Sequence, residues 1–264
     1  MLEKRNILGV WVTNASMDKI LEYITRGLKK SSKKYFIVTP NPEILTLANS
    51  DVSYKNILNK AKIALPDGIG LMWAGKVLGK PLKERITGVD LLESLCARVS
   101  EKPITVGFLG GRDGIADKTA KCLVKKYPKL KVVFAGSEWS QDSSMYHVSS
   151  IKYNENKKSY AGIHNTKYII QNTDILFVAF GAPKQERWIS ENLENIQVKV
   201  AIGVGGAFDY ISGNIPRAPL FVRLLGLEWL FRLLVEPWRL KRQLRLLEFM
   251  LLVLKEKIVG GKDH

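Results

Sequence analysis

Asp67 is the residue of this chain whose type and position most clearly suggest chemistry. It follows a short apolar run at residues 63–65 and precedes Gly68, so its carboxylate would lie where a buried strand ends in a flexible turn. Parallel sheets bind their ligands at this end of the strands, and a carboxylate there can accept a proton as a general base. Asp-Gly is also an ordinary turn sequence, so local sequence alone leaves both interpretations open.

Other predicted strands also end in polar or glycine-rich residues. These strand exits are Thr39-Pro40-Asn41-Pro42-Glu43, Gly110-Gly111-Arg112-Asp113-Gly114, Gly181-Ala182-Pro183-Lys184-Gln185-Glu186 and Gly203-Val204-Gly205-Gly206-Ala207-Phe208-Asp209. Glycine lets backbone amides approach an anion at a helix start, which favours phosphate binding. The signal is weak, because neither glycine-rich loop, 107–114 or 203–206, has the G-x-G-x-x-G pattern and later acidic residue of a dinucleotide site.

The sequence contains no recognisable metal or cofactor motif. Its three histidines are scattered, and it has neither an Asp-x-Asp pair nor a Walker lysine, so we expect no metal and no other cofactor. The charge of a bound diphosphate would then be met by arginines, lysines and backbone amides. Arg85 is one candidate for this role, although locally it is explained equally well as a surface residue.

Strand-like and helix-like segments alternate along most of the chain. Strands are predicted at residues 7–12, 35–38, 62–65, 104–109, 132–135, 175–180 and 198–204, with helices between them, for example at 18–29 and 115–127. Short apolar strands separated by helices are typical of a parallel sheet covered on both faces. We therefore predict an α/β fold with a Rossmann-like, mostly parallel sheet flanked by helices. Residues 137–162 are polar and predict a long loop.

The composition indicates a folded protein with an anionic partner. The 264 residues are 46% hydrophobic and carry a formal net charge of +16, which favours nucleic acid, a phosphate-bearing substrate or an anionic lipid surface. No apolar run reaches the ~18 residues of a membrane-spanning helix, and the amino terminus does not resemble a signal peptide. Cys96 and Cys122 are predicted to be buried thiols in a reducing cytosol.

The residues from Arg217 onward form a basic and apolar tail. Leu240, Leu244, Leu247, Leu251, Leu254 and Ile258 follow a four-three spacing that places them on one helix face. Basic helices with such a face suit a membrane interface, although a packed helix pair with a solvated basic face gives the same pattern. We predict two domains, an α/β core at 1–216 and a basic amphipathic helical appendage at 217–264 that associates with membranes.

Six motifs lie along nearly the whole chain in a recognisable order. They are Thr39-Pro40-Asn41-Pro42-Glu43, Pro66-Asp67-Gly68-Ile69-Gly70, Arg85-Ile86-Thr87-Gly88-Val89-Asp90, Gly181-Ala182-Pro183-Lys184-Gln185-Glu186, Gly203-Val204-Gly205-Gly206-Ala207-Phe208-Asp209 and Arg217-Ala218-Pro219. In order and spacing they resemble the WecG/TagA/CpsF family of glycosyltransferases, and residues 226–239 resemble that family's tail. Each motif alone is common, but the set is specific.

The resemblance implies an inverting transferase of the GT-E fold that needs no metal. Typical members move N-acetylmannosamine or its uronic acid from a UDP-sugar donor to N-acetylglucosamine on undecaprenyl diphosphate, in the synthesis of teichoic acid or other cell-wall polysaccharides. The partners would then be the UDP-sugar donor, the lipid-diphosphate-linked acceptor and an anionic membrane surface. We accordingly expect a cytoplasmic protein that associates peripherally with the inner face of the cell membrane.

The resemblance also assigns roles to individual residues. Asp67 corresponds to the proposed general base of the family. The resemblance further implies that four residues position donor and acceptor: Thr39, Asn41, Arg85 and Gln185. The tail arginines that would reach the diphosphates are Arg232, Arg239 and Arg242. Gly205 and Gly206 would form part of the UDP site.

Two other functions are compatible with parts of the sequence. A non-catalytic nucleotide- or phospholipid-binding protein could use the same scaffold, but it would be expected to have lost Asp67, Arg85 or Gln185, and all three are present. A nucleic-acid binder would explain the net charge, but the basic residues concentrate in an apolar tail and no nucleic-acid-binding module is recognisable. Self-association into homo-oligomers is left open.

Overall fold

A computed structural model of the chain describes residues 2–30, 33–112, 114–136 and 173–260, without the side chains of Lys30, Arg239, Lys241, Arg242 and Gln243. The predicted loop at 137–162 lies outside these residues. The elements are β1 (Lys4–Ile7), β2 (Val10–Thr13), α1 (Met17–Lys30), β3 (Tyr35–Val38), α2 (Pro42–Ser50), α3 (Val52–Lys60), β4 (Ile63–Ala64), α4 (Ile69–Val77), α5 (Gly88–Val99), β5 (Thr105–Gly110), α6 (Ile115–Lys126), β6 (Lys131–Gly136), β7 (Thr173–Ala179), α7 (Lys184–Asn192), β8 (Val198–Gly203), α8 (Ala207–Ile211), α9 (Leu220–Leu224), α10 (Glu228–Val235) and α11 (Leu240–Gly260), with 3-10 turns at Leu193–Asn195 and Pro237–Arg239.

Six strands form one sheet in the order β4-β3-β8-β7-β5-β6. The pairs β3–β8, β8–β7, β7–β5 and β5–β6 are all parallel. The interior strand β7 is apolar from Ile175 onward, and Phe177 within it stacks on Phe108 of β5 with ring centroids 5.6 Å apart. Both rings are fully buried, as expected for strands covered by helices on both faces. The predicted α/β fold with a mostly parallel sheet flanked by helices is confirmed.

The first predicted strand was wrong. Residues 7–12 do not form one strand of the main sheet; β1 and β2 form a separate antiparallel hairpin in which Ile7 pairs with Val10. The turn consists of Leu8 and Gly9, with φ of +50° and +79°, a two-residue loop with both central residues left-handed, as in the tight turns that match strand twist. Leucine rarely adopts this conformation, so the sequence carried no usual turn signal there.

Contacts between residues divide the chain into two compact units. The first lies within residues 1–17, 39–87 and 216–264, and the second within 18–38 and 88–215. The tail therefore groups with the stretch that carries Asp67.

Helix α11 is apolar on two opposite faces. Phe249 and Val253 are fully buried, and the helix packs on α2 and α4 of the same unit. The opposite face is exposed and consists of the predicted apolar seam: Leu240, Leu244, Leu247, Leu251, Leu254 and Ile258. The seam is thus not the packed side of a helix pair within the part of the chain that the structure describes. None of the helices described there is both long and apolar enough to cross a membrane.

One of the two cysteines departs from its predicted environment. Cys96 in α5 is buried, and burial, aided by the nearby charge of Glu93, raises the pKa of its thiol. Cys122 in α6 is exposed, so the prediction of two buried thiols was wrong. The buried position of that helical turn is taken by its neighbour Leu123.

A cluster of polar side chains ties three strands together at their amino ends. Asp174 in β7 accepts hydrogen bonds from the N–H and hydroxyl of Thr105 in β5, at 2.9 and 3.1 Å, and pairs with the Lys199 ammonium of β8 at 2.8 Å. Burial alone would raise the pKa of Asp174, but the bonds from Lys199 and Thr105 outweigh it and hold that pKa below its ordinary value. We call these three residues the Asp174 clasp.

Replacing Asp174 by Asn should lower the free energy of unfolding by about 1 kcal/mol at neutral pH, because the charge-assisted bonds of the clasp are lost while solvent screening limits their strength. The folded-state pKa of Asp174 is depressed, so its stabilisation is present above the unfolded value of ~3.9 and disappears as pH falls through the folded value. Urea unfolding of wild type and variant from pH 7 towards pH 3 measures this.

The control is Glu101→Gln, which removes the exposed ion pair with Lys129 and should leave stability unchanged. If the difference in free energy of unfolding between wild type and Asp174→Asn stayed constant down to the lowest pH, the stabilisation would not come from the charge of Asp174.

Candidate active site

Two backbone hydrogen bonds join the loops that carry Asp67 and its predicted neighbours. The N–H of Asp67 donates to the carbonyl of Pro40 over 2.8 Å, and the N–H of Ile86 donates to the carbonyl of Pro66 over 3.0 Å. Loops 39–41, 66–68 and 84–87 therefore lie side by side, and we call this arrangement the loop junction. The predicted site residues within one position of these bonds are Thr39, Asn41, Asp67 and Arg85.

Asn41 caps the helix that begins at the loop junction. Its Oδ1 accepts a 2.9 Å hydrogen bond from the N–H of Ile44, and Pro42 occupies the first turn of α2, where its missing N–H is not needed. The cap uses the side-chain oxygen of Asn41 as acceptor, and the amide nitrogen is the end of the side chain that can donate to a ligand. Thr39 is buried.

Asp67 is half-buried immediately before α4. Gly68 follows with φ of +92°, a conformation that favours glycine, and the helix starts at Ile69. The first turns of α2 and α4 are in close contact, since a Cβ added to Gly70 would lie 2.5 Å from Cγ of Pro42. Two helix amino termini thus meet at the loop junction. That of α4 has no side-chain cap, so its first N–H groups favour an anionic ligand.

Arg85 is held by residues of the tail. Its Nη2 donates to the carbonyl of Arg223 over 3.3 Å, and its Nη1 lies 3.9 Å from Oε2 of Glu228. The other carboxylate oxygen of Glu228 accepts a 3.3 Å hydrogen bond from Nε of Arg217. The start of α10 therefore contacts a predicted site residue directly.

The three predicted tail arginines are described to different degrees. Arg232 in α10 donates from Nε to Oε2 of Glu236 over 2.7 Å, and Glu236 is buried. Arg239 ends a 3-10 turn and Arg242 lies in the first turn of α11, but their side chains are outside what the structure describes. Contact of these arginines with a diphosphate stays a prediction.

In the second unit, Gln185 fixes the glycine turn after β8. The side chain is 1% exposed; its Oε1 accepts a 3.0 Å hydrogen bond from the N–H of Gly205, and its Nε2 donates to Glu186 over 2.6 Å. The approach is close, because a Cβ added to Gly203 would lie 3.0 Å from Nε2 of Gln185. Gln185 therefore sets the shape of the turn at Gly205, whose φ is +56°, and Gly206, which precedes α8.

Comparison with known proteins assigns the chain to a family. The model of the glycosyl transferase WecG/TagA/CpsF family matches residues 5–263. The chain belongs to this family. An N-acetylglucosaminyldiphosphoundecaprenol N-acetyl-beta-D-mannosaminyltransferase from Bacillus spizizenii (strain ATCC 23059 / NRRL B-14472 / W23) is 35% identical over 251 residues, which are 95% of this chain and 91% of the relative. Relatives with the same name from Bacillus subtilis (strain 168) and Staphylococcus aureus (strain MRSA252) are 29% and 31% identical, over 97% and 96% of this chain and 93% of each relative.

This member of the WecG/TagA/CpsF glycosyltransferases has charged contacts that its sequence did not predict. Two carboxylates make these contacts. Glu228 bridges Arg85 and Arg217, and Glu236 pairs with Arg232. Arg217 lies in one of the six motifs and Glu228 lies within residues 226–239, which resemble the family's tail, but no local pattern pairs them. Among the described residues, no three His, Cys, Asp or Glu side chains are grouped so that they could hold a metal ion.

Replacing Gly70 by Ala should destabilise the protein by about 1–3 kcal/mol, because the rigid ring of Pro42 occupies the space of the new methyl group. Helix propensity alone would favour alanine by up to about 1 kcal/mol, so the sign of the change tests the contact. Urea unfolding measures it.

The matched control is Gly27→Ala within α1, where the new Cβ would lie 3.3 Å from the hydroxyl oxygen and 3.9 Å from Cε1 at the outer end of the Tyr35 side chain. That variant should be as stable as wild type or more so. Equal stabilisation by both substitutions would show that α2 and α4 are not packed at Gly70 as described.

Proposed function

We propose that this chain transfers N-acetylmannosamine, or a related hexose or uronic acid, from a UDP-sugar to N-acetylglucosamine on undecaprenyl diphosphate, with inversion at the anomeric carbon. The product would feed a cell-surface polymer such as teichoic acid. Relatives named for this transfer match nearly the full chain. The observation that carries the proposal is the loop junction, because it brings the loop of Asp67 beside the loop of Arg85 and brings two helix amino termini together.

Asp67 acts as the general base in this proposal. The acceptor hydroxyl attacks the anomeric carbon while the bond from that carbon to the phosphate oxygen breaks, and the hydroxyl proton must leave as the new glycosidic bond forms. The carboxylate of Asp67 takes this proton, and UDP departs with the electron pair of the broken bond. The backbone bond from Asp67 to Pro40 supports the role, since a base must be held at a fixed position to act.

Arginines and helix termini stabilise the leaving diphosphate in this proposal. Negative charge develops on UDP as the sugar leaves, and groups already oriented towards it lower the barrier. We assign this function to the tail arginines Arg232, Arg239 and Arg242, whereas Arg85 at the loop junction binds and positions the diphosphate of the donor before the reaction. No metal is required for this charge to be met.

The remaining predicted residues bind and orient the substrates. Asn41 can donate through its amide nitrogen, since its oxygen caps α2, and Thr39 supports the same loop. Gly205 and Gly206 contribute to the UDP site through their backbone, and Gln185 acts by fixing their turn.

We further propose that the chain consists of a catalytic core at residues 1–216 and an appendage at residues 217–264. The appendage associates with the inner face of the cell membrane. The support is a set of large apolar side chains exposed in the tail, among them Leu220, Phe221, Leu224, Leu225 and Trp238. They alternate with arginines, and basic helices with exposed apolar residues bind anionic interfaces. A membrane-bound position would bring the enzyme to its lipid-linked acceptor.

Replacing Asp67 by Asn should lower the transfer rate by about 10²–10⁴-fold, because the amide cannot accept the proton, while UDP binding stays within about twofold. The assay mixes purified protein with UDP-N-acetylmannosamine and a short-chain lipid-diphospho-N-acetylglucosamine in the presence of EDTA. Mass spectrometry reads a gain of one N-acetylhexosamine on the lipid, and calorimetry reads UDP binding.

Asp18→Asn, which removes an exposed carboxylate from the first turn of α1, is the matched control and should turn over normally. Normal transfer by Asp67→Asn would remove Asp67 from the role of base. If wild type bound UDP but transferred none of a panel of UDP-hexoses and uronic acids, the non-catalytic function would replace the one proposed.

The double substitution Leu224→Ser with Leu225→Ser should reduce partitioning to vesicles of anionic phospholipid by about tenfold or more, since burying one leucine contributes about 1.5–3 kcal/mol. The two side chains are 77% and 68% exposed, so the fold should not depend on them. Sedimentation with vesicles measures the bound fraction.

The control Val52→Ser removes an apolar side chain of α3 that is 69% exposed and lies outside the tail. It should sediment like wild type. Equal sedimentation of all three proteins would contradict membrane binding through the tail.

A further inference from the structure

Glu228 lies between two arginines that come from distant parts of the sequence. Its Oε2 is 3.9 Å from Nη1 of Arg85, and its Oε1 is 3.3 Å from Nε of Arg217. The side chains are 17%, 22% and 18% exposed for Glu228, Arg85 and Arg217, so solvent screens their charges only in part. Each carboxylate oxygen faces one guanidinium, and the negative charge offsets the repulsion between the two arginines.

The segment from Arg223 to Glu228, which joins the end of α9 to the start of α10 and which we call the α9–α10 turn, holds Arg85 through a second contact. The carbonyl of Arg223 accepts a 3.3 Å hydrogen bond from Nη2 of Arg85. Glu228 follows five residues later, so one short segment supplies two partners of the Arg85 guanidinium. Because a guanidinium is planar and rigid, contacts to Nη1 and Nη2 together set the direction of its remaining N–H groups.

The same turn packs against the start of α4. Gly226 has φ of +75°, and a Cβ added to it would lie 3.0 Å from Cγ1 of Ile69. Ile69 is the first residue of α4 and follows Asp67 by two positions. The turn therefore touches both the helix that begins after Asp67 and the side chain of Arg85.

We propose that Glu228 is a positioning residue: it orients the guanidinium of Arg85 for the anionic diphosphate of the donor and locks the α9–α10 turn onto the loop junction. Glu228 itself does not touch substrate. The proposal rests on the function proposed above, in which Arg85 binds the donor, and it assigns to the tail a role in the geometry of the site that does not depend on lipid.

The test uses the full chain with Glu228→Gln, which keeps the shape of the side chain and removes its charge. The donor KM should rise about 3–10-fold, with a smaller change in kcat, because the loss lies in donor binding through Arg85. Glu228→Asp keeps the charge and should recover part of the wild-type KM. The control Glu248→Gln removes an exposed carboxylate from α11 of the same tail and should change neither constant.

A readout independent of transfer is the rate at which phenylglyoxal modifies Arg85, measured by peptide mass spectrometry with the exposed Arg98 as internal reference. Release of Arg85 in Glu228→Gln should raise its modification rate several-fold. When Arg85→Lys is already present, adding Glu228→Gln should raise the donor KM little further, because the residue through which Glu228 acts is already changed.

An unchanged Arg85 modification rate together with an unchanged KM in Glu228→Gln would overturn the proposal. So would a KM increase of the same size with and without Arg85→Lys, because Glu228 would then act by another route. If wild type showed no transfer at all, the proposed function would fail while the Arg85 modification rate still decided the positioning role. If Glu228→Gln did not fold, an unchanged modification rate in Glu228→Asp would count against the proposal and a raised rate in its favour.

Discussion

The carbonyl oxygens of Pro40 and Pro66 accept the two backbone hydrogen bonds that hold the loop of Asp67 against its neighbours. Each bond joins residues that are distant in sequence, and together they hold three strand-exit or helix-entry loops side by side. Because the contacts are made by the backbone, they do not depend on which side chains the loops carry. The close approach of Gly70 to Pro42 completes the arrangement by bringing two helix amino termini to the same place.

The tail is attached to this region by packing as well as by charge. Phe249 and Val253 bury one face of α11, and Arg245 pairs with Glu43 of α2 at 2.8 Å. Since α2 begins at the cap of Asn41, the long carboxyl-terminal helix and the loop junction share a rigid element. A surface that bound the exposed face of α11 would therefore bind the same unit that holds Asp67.

The sequence was sufficient for the main sheet, because its strands are short, mostly apolar runs. The strand exits also named Thr39, Asn41 and Asp67 of the loop junction. It was not sufficient for the hairpin, where Leu8 adopts a positive φ that its residue type does not favour. The contact of Arg85 with Arg223 spans 138 residues of sequence, and no local pattern encodes such a pair.

Periodicity also identified the apolar seam of α11, but it could not predict that the seam is exposed. The helix has apolar residues on both faces, and either face could have been the packed one. The division into a core at 1–216 and an appendage at 217–264 stays a prediction. Residues 216–264 belong to the same compact unit as 39–87.

The position of the Asp174 clasp bears on how the second unit can evolve. The clasp joins the amino ends of β5, β7 and β8, whereas the turn shaped by Gln185 leaves from the carboxyl end of β8. Substitutions that reshape this turn leave the contacts of the clasp in place. Sequence change in this turn is therefore not limited by the contacts of the clasp, because different residues join the strands at one end and shape the turn at the other.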